Sequence, residues 1–354
     1  MTKTPEADRL VPVGALRARL ERLFAAAGLS RAAAMHMAEA LVDADIEGVP
    51  SHGTLQAGVY IHRLMQGSIS MAERAEIVVD TQSIAVLDAH HMFGHIAADQ
   101  AIALAVAKAK TFGSGVVAVR HGFHFGVAGR YARAAAEAGC IGIAMSNVRP
   151  LIPAPGGAEA IVGNKPLAIA LPTAGATPIV LDMAMSEAAL AKIRVAQAEG
   201  KPIPPTWAVD THGAPTTDPA AALAGMLLPA GGAKGFGLAF VIDLMCGLLS
   251  SGSWGGAIKG MHADPKVPLD CAYLFIAIDI PHFRNPDGFR REASTAADRI
   301  RASKRAPGIA RITVPGERKW EARLKNAEFV SLAPAVHDAL CKLEAELEIS
   351  AQDP

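Results

Sequence analysis

Apolar residues recur at helical spacing near the start of the chain: Leu16, Leu20, Leu23 and Phe24, then Met35, Ala38, Leu41, Val42 and Ile46. Gly28 and Ser30 stand between the two sets as a stop and a new N-cap. The pattern predicts two helices leading into Gly48-Val49-Pro50-Ser51-His52-Gly53, and a third over 55–65 that ends near Gly67. From Ile77 onward the texture changes to short apolar runs bounded by turn residues, which read as strands. Runs at 77–79 and 84–88 predict a hairpin through Asp80-Thr81, and further strands are expected at 115–119, 141–145, 167–171, 179–182 and 273–279. Ala-rich helices are expected at 97–112 and 127–138. Ser186 is expected to cap a helix running to about 199, with Glu187 in its first turn, where a carboxylate suits the helix dipole. The Pro- and Thr-rich 201–219 reads as loop, and Gly231-Gly232-Ala233-Lys234-Gly235 opens the most apolar helix, to 249. A charged helix at 294–305, a strand at 309–314, a turn at 315–318 and an amphipathic helix at 334–347 close the chain.

Helix-rich ends around a strand-rich middle predict an α/β protein of mixed α+β character. At 354 residues the chain is long for one core. The expected division is a discontinuous helical cap and substrate domain (1–74 plus 295–354) closing over a mixed-sheet domain (75–294). Several strands end on polar clusters: His121 and His124, Ser146-Asn147, Pro172-Thr173 and Asp182. Polar groups delivered from strand ends suggest a site built on a rigid sheet.

Composition narrows the function. Thirty-four basic residues balance thirty-four acidic ones, so there is no electrostatic footprint for nucleic acid. The polar N-terminus lacks a signal peptide's apolar segment. The most apolar helix carries Asp243 and is expected to fall short of the roughly 18 residues that span a bilayer. Four scattered cysteines, with no metal-ligand spacing, suit a reduced compartment. A cytoplasmic protein acting on a small molecule is expected, with neither membrane nor nucleic acid as partner.

The string Gly113-Ser114-Gly115-Val116-Val117-Ala118 matches a dinucleotide fingerprint in letters only. That fingerprint must follow a strand and open a helix, because the pyrophosphate sits on the helix N-terminus. Here the glycines precede the strand, so a Rossmann domain is rejected. No P-loop or nucleophile elbow is present.

The motifs that remain are Ser51-His52-Gly53, His124-Phe125-Gly126, Ser146-Asn147, Gly163-Asn164-Lys165-Pro166, the run from Leu181-Asp182-Met183 to Ser186, Gly232-Ala233-Lys234-Gly235 and Pro315-Gly316-Glu317-Arg318. In this order, over nearly the whole chain, they resemble the malate/L-lactate dehydrogenase family of non-Rossmann oxidoreductases. The relatives include ureidoglycolate, sulfolactate and diketogulonate enzymes and the cyclic-imine (piperideine/pyrroline-2-carboxylate) reductases. The resemblance implies a homodimer with a non-Rossmann, mixed-sheet NAD(P)-binding domain. It also implies hydride transfer between NAD or NADP and a 2-oxo or 2-hydroxy acid, or alternatively a cyclic imino acid.

By the same resemblance His52 is the acid/base, with Ser51 and Asp182 supporting it as a relay, and His124 is the competing catalytic residue. Imidazole suits the task because it titrates near neutrality and works in both directions. The resemblance places the cofactor at His124, Phe125 and Gly126, at Pro172, Thr173 and Ala174, at Ala224 and Gly225, and at Gly316, Glu317 and Arg318. Small residues there let backbone N–H groups reach a pyrophosphate, and Arg318 or Lys304 supplies a cation. Gln56, Asn147 and Lys165 are expected at the substrate.

Two departures stand out. Gln56 occupies the place of an arginine that grips the substrate carboxylate in relatives, leaving Arg63, Arg120 or Arg149 to take over. Lys165 stands where relatives carry asparagine. Two rival readings remain: a metal-dependent hydrolase using His121, His124 and Asp182, and a binding protein that has lost its chemistry.

Overall fold

A computed structural model describes residues 8–349. The chain opens with β1 (Arg9–Pro12), α1 (Val13–Ala26) and α2 (Arg31–Ile46), passes the Ser51-His52 loop and enters α3 (Ala57–Met65). The middle runs through β2 (Glu76–Asp80), β3 (Ile84–Asp88), α4 (Gly94–Phe112), β4 (Ser114–Gly122), α5 (Ala128–Glu137), β5 (Cys140–Ser146), β6 (Ile152–Pro153), β7 (Ala160–Val162), β8 (Pro166–Leu171) and β9 (Ile179–Ala184). There follow α6 (Leu190–Ala198), β10 (Ala208–Val209), α7 (Pro219–Ala224), β11 (Met226–Leu227), α8 (Ala233–Ser250) and β12 (Cys271–Asp279). The closing elements are α9 (Pro286–Arg301), α10 (Glu317–Lys325), β13 (Phe329–Leu332) and α11 (Pro334–Glu346).

Seven strands form one mixed sheet in the order β2-β3-β4-β12-β5-β8-β9. Only β3 and β4 run parallel; every other neighbouring pair is antiparallel. That topology excludes a doubly wound parallel sheet. Gly113, at φ +86°, closes α4, while a Cβ on Gly115 would lie 2.0 Å from the Ala105 carbonyl oxygen. Those glycines serve helix–strand packing, which agrees with rejecting the fingerprint.

The two ends of the chain come together. Strand β1 pairs antiparallel with β13, Arg9 opposite Leu332, and Arg19 of α1 forms a two-pronged bond with Glu344 of α11. The apolar stripes of α1 and α2 predicted from spacing bury Leu16, Leu20, Leu23, Phe24, Ala38, Leu41 and Val42 in a core shared with α4, α5 and the sheet. Met35, also placed on that stripe, is exposed. The Ser30 hydroxyl oxygen accepts the Ala33 N–H at 3.2 Å, as an N-cap should.

Several expectations need correction. Residues 309–314 form no strand; the residue that follows them, Pro315, meets the sheet edge by accepting the Val180 N–H at 3.1 Å. The late strand is β13. The helix expected from 294 begins at Pro286, because the Asn285 side chain caps it on the Gly288 N–H at 2.9 Å. Ser186 caps nothing; its hydroxyl donates to the Ala188 carbonyl, and α6 starts at Leu190. The expected loop 201–219 contains β10 and the start of α7, which Asp218 caps. Helix α8 is 18 residues long, long and apolar enough by composition to cross a membrane. One of its faces packs against Met145, Ala272 and Leu274 of the sheet.

Candidate active site

The loop after α2 is shaped by one buried carboxylate. Asp45, 7% exposed, accepts the Thr54 N–H at 2.9 Å and the Thr54 hydroxyl at 2.5 Å. Gly53 between them has to be glycine: a Cβ there would lie 2.0 Å from Asp45 Oδ1. Burial pushes the Asp45 carboxyl up to about 6, against the two bonds from Thr54 that favour its charge. Thus fixed, the loop presents Ser51 and His52, with Ser51 Oγ 3.0 Å from His52 Nδ1. Gln56 turns back into the same loop, its Nε2 donating to the Ser51 carbonyl at 2.7 Å.

The His124 ring lies beside this loop, its centroid 5.3 Å from that of His52. Tyr60 of α3 is fully buried, and its hydroxyl is 2.6 Å from His124 Nδ1. The phenol has no other hydrogen-bond partner among the described residues, so its O–H donates to Nδ1 and leaves the imidazole proton on Nε2. Burial, with the His52 imidazole nearby, lowers His124 to about 3 and keeps it neutral near pH 7. Phe125 stacks on Tyr273 at 5.0 Å, and a Cβ on Gly126 would meet His95 Nε2 at 2.4 Å. All three residues of the His-Phe-Gly turn are therefore locked from behind.

Asp182, on β9, supplies the charge. Its Oδ2 accepts from Lys319 Nζ of α10 at 2.5 Å, and Gly129 leaves room for it, since a Cβ there would lie 2.6 Å from the same oxygen. Burial lowers the proton affinity of His52; the Asp182 carboxylate opposes this and the Lys319 ammonium adds to it. Gly316, at φ +96°, lets the next turn press on Val180, and Glu317 accepts the Val314 N–H while pairing with Arg301.

Three hollows follow one another along the β8–β9 hairpin. A cleft of about 320 Å³ is lined by Val180, Asp182, Gly316, Arg318 and Lys319. A narrow crevice sharing Asp182, Gly316 and Lys319 reaches Glu47, Gly129 and Pro178. Beyond Pro178 opens a cleft of about 600 Å³ lined by Pro172, Thr173 and Ala174 with Lys110, Arg290 and Arg291. Small residues, helix α10 opening at Gly316 and cations such as Arg318, which has no ion-pair partner among the described residues, suit a phosphate-bearing dinucleotide.

Other expected residues lie elsewhere. Ala224 and Gly225 line none of these hollows; a Cβ on Gly225 would sit 2.1 Å from the Val209 carbonyl oxygen, so this glycine serves the β10–β11 contact. Asn147 is fully buried and ties β5 to β12, donating to the Ser253 carbonyl and accepting the Ala272 N–H. Lys165 is also fully buried, donating to the Val148 carbonyl and lying 3.0 Å from Asp243 of α8. Neither side chain lines the three hollows described above.

Of the arginines expected to replace a carboxylate grip, Arg63 and Arg120 are engaged elsewhere. Arg63, 1% exposed, donates to the carbonyls of Gly260, Met261, Ala263 and Val267 and to the Ser68 hydroxyl. Arg120 pairs with Asp88; the exposed Arg149 packs its stem against Gly260. His90 and His121 are both bonded to Asp88, and His91 packs against His121, so His121 is turned to a different partner from His124. Among the described residues no three His, Cys, Asp or Glu side chains converge in a metal-like group.

Sequence reasoning missed Asp45, Tyr60 and Lys319. Asp45 had a signal, an acid in the last turn before a glycine-bearing loop. Lys319 follows directly on the Gly316-Glu317-Arg318 motif but carries no pattern of its own.

The family profile described as malate/L-lactate dehydrogenase matches residues 11–341. A malate dehydrogenase of Pyrococcus abyssi is 35% identical over 326 residues, 89% of each chain. The NAD(+) ureidoglycolate dehydrogenase of Escherichia coli K12 is 34% identical over 84% of this chain and 85% of its own. The solved sulfolactate dehydrogenase of Methanocaldococcus jannaschii superposes with a TM-score of 0.91 at 33% identity, covering 96% of this chain and 98% of that one. With its mixed sheet, its paired histidines and these likenesses, the chain belongs to the malate/L-lactate dehydrogenase family, a family of NAD(P)-dependent 2-hydroxy acid dehydrogenases.

Proposed function

We propose that the chain moves a hydride between a small 2-hydroxy acid and NAD or NADP, with His52 as the acid/base. The observation that carries this reading is the pairing of His52, bonded to Ser51, with a neutral imidazole, His124, held by Tyr60, the two ring centroids 5.3 Å apart. The cofactor supplies the hydride acceptor; Gly316, Arg318 and the Pro172–Ala174 segment are the residues that would hold it. In oxidation the C2 hydrogen leaves as hydride and His52 takes the hydroxyl proton, so a 2-oxo acid remains. In reduction His52 returns that proton to the carbonyl oxygen. Ser51 bonded at Nδ1 orients the ring, and His124, with its proton on Nε2, donates toward the reacting oxygen without adding charge.

We assign the helices flanking the sheet to one unit and the sheet with its own helices to another, the first giving Ser51, His52 and Tyr60 to this site and the second His124. Helix α8 leaves Leu238, Val241, Leu248 and Leu249 about half exposed, a face that we assign to a second copy of the chain. All four cysteines are free, in keeping with work in a reducing cytoplasm.

A panel of 2-oxo acids and cyclic imines run with both NADH and NADPH tests the reading. His52→Ala is expected to lower turnover by about 10²–10⁴-fold with cofactor affinity unchanged. Loss of cofactor binding together with turnover would move His52 to a structural role.

A further inference from the structure

Two left-handed corners adjoin the His124 turn, and both are built from histidine rather than glycine. His90 and His91, which follow β3, have φ of +45° and +60°, and His121, near the end of β4, has φ of +52°. A residue with a Cβ adopts this region at a cost, so it stays there only where its surroundings fix it. The corners are bonded to each other: His91 N–H donates to the His121 carbonyl at 2.7 Å, and Ala89 N–H to the Arg120 carbonyl at 3.0 Å. Asp88, 5% exposed at the end of β3, ties both. It accepts the His90 N–H and the Arg120 Nε–H, each at 2.9 Å, and His121 Nδ1 lies 3.0 Å from both of its oxygens. Burial raises the proton affinity of this carboxyl, but the bonds from His90 N–H, His121 and Arg120 bring it down to about 2, so it stays charged.

Each corner reaches the site within three residues. Phe93 lies two residues after His91 and Phe123 two after His121, and their rings pack edge to face with centroids 6.3 Å apart. Both rings also pack on Tyr60, at 6.1 and 5.2 Å, and the Tyr60 hydroxyl holds His124 Nδ1 at 2.6 Å. Gly94, which opens α4, makes the closest fit: a Cβ there would lie 2.5 Å from the carbonyl oxygens of both Phe123 and His124. A corner that relaxed would thus push on Phe93 or Phe123, and through them on Tyr60 and the His124 backbone. We propose that Asp88 is a positioning residue for His124: by holding the His90-His91 and His121 corners in their left-handed form, it fixes where the His124 ring stands against Tyr60 and His52.

This inference rests on the proposed role of His124, but its main readout needs no turnover. Alanine and glycine at position 121 separate the backbone from the side chain: both lose the bond to Asp88, and only glycine adopts a φ of +52° freely. Protein labelled with 15N-histidine, with His124 assigned by its loss in His124→Gln, is expected to show that ring as a single tautomer protonated on Nε2. Asp88→Ala and His121→Ala are expected to move its two nitrogen resonances toward a mixed-tautomer average, as the Tyr60 bond loosens. His121→Gly is expected to keep the parental pattern, and the Asp88→Ala/His121→Gly pair to recover it relative to Asp88→Ala alone. Far-UV circular dichroism confirms the fold, and if Asp88→Ala does not fold, the contrast of alanine and glycine at 121 decides. A parental tautomer in His121→Ala, or equal losses in His121→Ala and His121→Gly, overturns the proposal. With an active substrate in hand, His121→Ala is expected to lower kcat by about 10–10²-fold, the cost of a misplaced group, with cofactor Kd unchanged. A shifted tautomer with parental kcat counts against a role for His124 at the reacting oxygen and leaves its positioning by Asp88 standing.

Discussion

Gly53→Ala is the sharpest test of how the catalytic loop is held. A Cβ at this position would lie 2.0 Å from Asp45 Oδ1, 2.4 Å from Cγ and 2.8 Å from Oδ2. An ordinary contact needs about 3.4 Å, so the loop or the carboxylate must give by more than 1 Å, about the width of a hydrogen-bond well. Asp45 cannot retreat without losing both bonds from Thr54, and hydrogen bonds to a charged group contribute about 1.5–3 kcal/mol each. The expected loss of stability is therefore about 3 kcal/mol. If the loop moves instead, His52 is displaced, and a misplacement of about 1 Å costs on the order of 10²-fold in rate. The assay pairs a thermal or denaturant melt with steady-state kcat and KM, using Gly58→Ala as control. A Cβ on Gly58 meets only Leu343 at an ordinary 3.7 Å, and alanine there is expected to be neutral or stabilising by up to about 1 kcal/mol. A Gly53→Ala protein that melts and turns over like its parent would refute the idea that Asp45 fixes the loop by contact.

The same carboxylate should show in the pH dependence of stability. The Asp45 carboxyl holds its proton up to about pH 6 in the fold but releases it near 3.8 when unfolded, so the native state binds the extra proton between these values. Stability then falls as pH rises through that window, by about 3 kcal/mol from this group. Asp45→Asn has no such term, so its stability relative to the parent is expected to improve by that amount from pH 4 to pH 7, read by denaturant unfolding at both; a constant difference rejects the raised value. Tyr60→Phe removes the donor that fixes the His124 proton on Nε2, and is expected to cost about tenfold in kcat/KM, the equivalent of one hydrogen bond. Parental kinetics in Tyr60→Phe would mean that the tautomer is set by something else.

Much of this was legible in the chain. The period-3.6 stripes of Leu16–Phe24 and Ala38–Ile46, and the alternation of apolar runs with Gly and Pro, located the elements because each buries one face against the same core. The Ser51-His52 and His124-Phe125-Gly126 motifs, far apart in sequence, lie side by side with their rings 5.3 Å apart. What the sequence hid was the use of polar side chains. Nothing local distinguishes Lys165, consumed by Val148 and Asp243, from Lys319, which borders a cleft. Gln56, Asn147 and Arg63 similarly sit near site motifs in the chain, yet their hydrogen bonds go to groups within the protein, most of them backbone. The strand expected at 309–314 failed because apolar alternation cannot tell a run that joins a sheet from one that brushes its edge.

The pairing of β1 with β13 has a consequence for how the protein is made. Residues 9–12 find their partners only at 329–332, so this ribbon cannot close until that late segment has been made. The seven-stranded sheet, complete once residue 279 is free, can assemble earlier. Synthesis thus allows the sheet to form before β1 meets β13, with α1 waiting for α11 to supply Glu344.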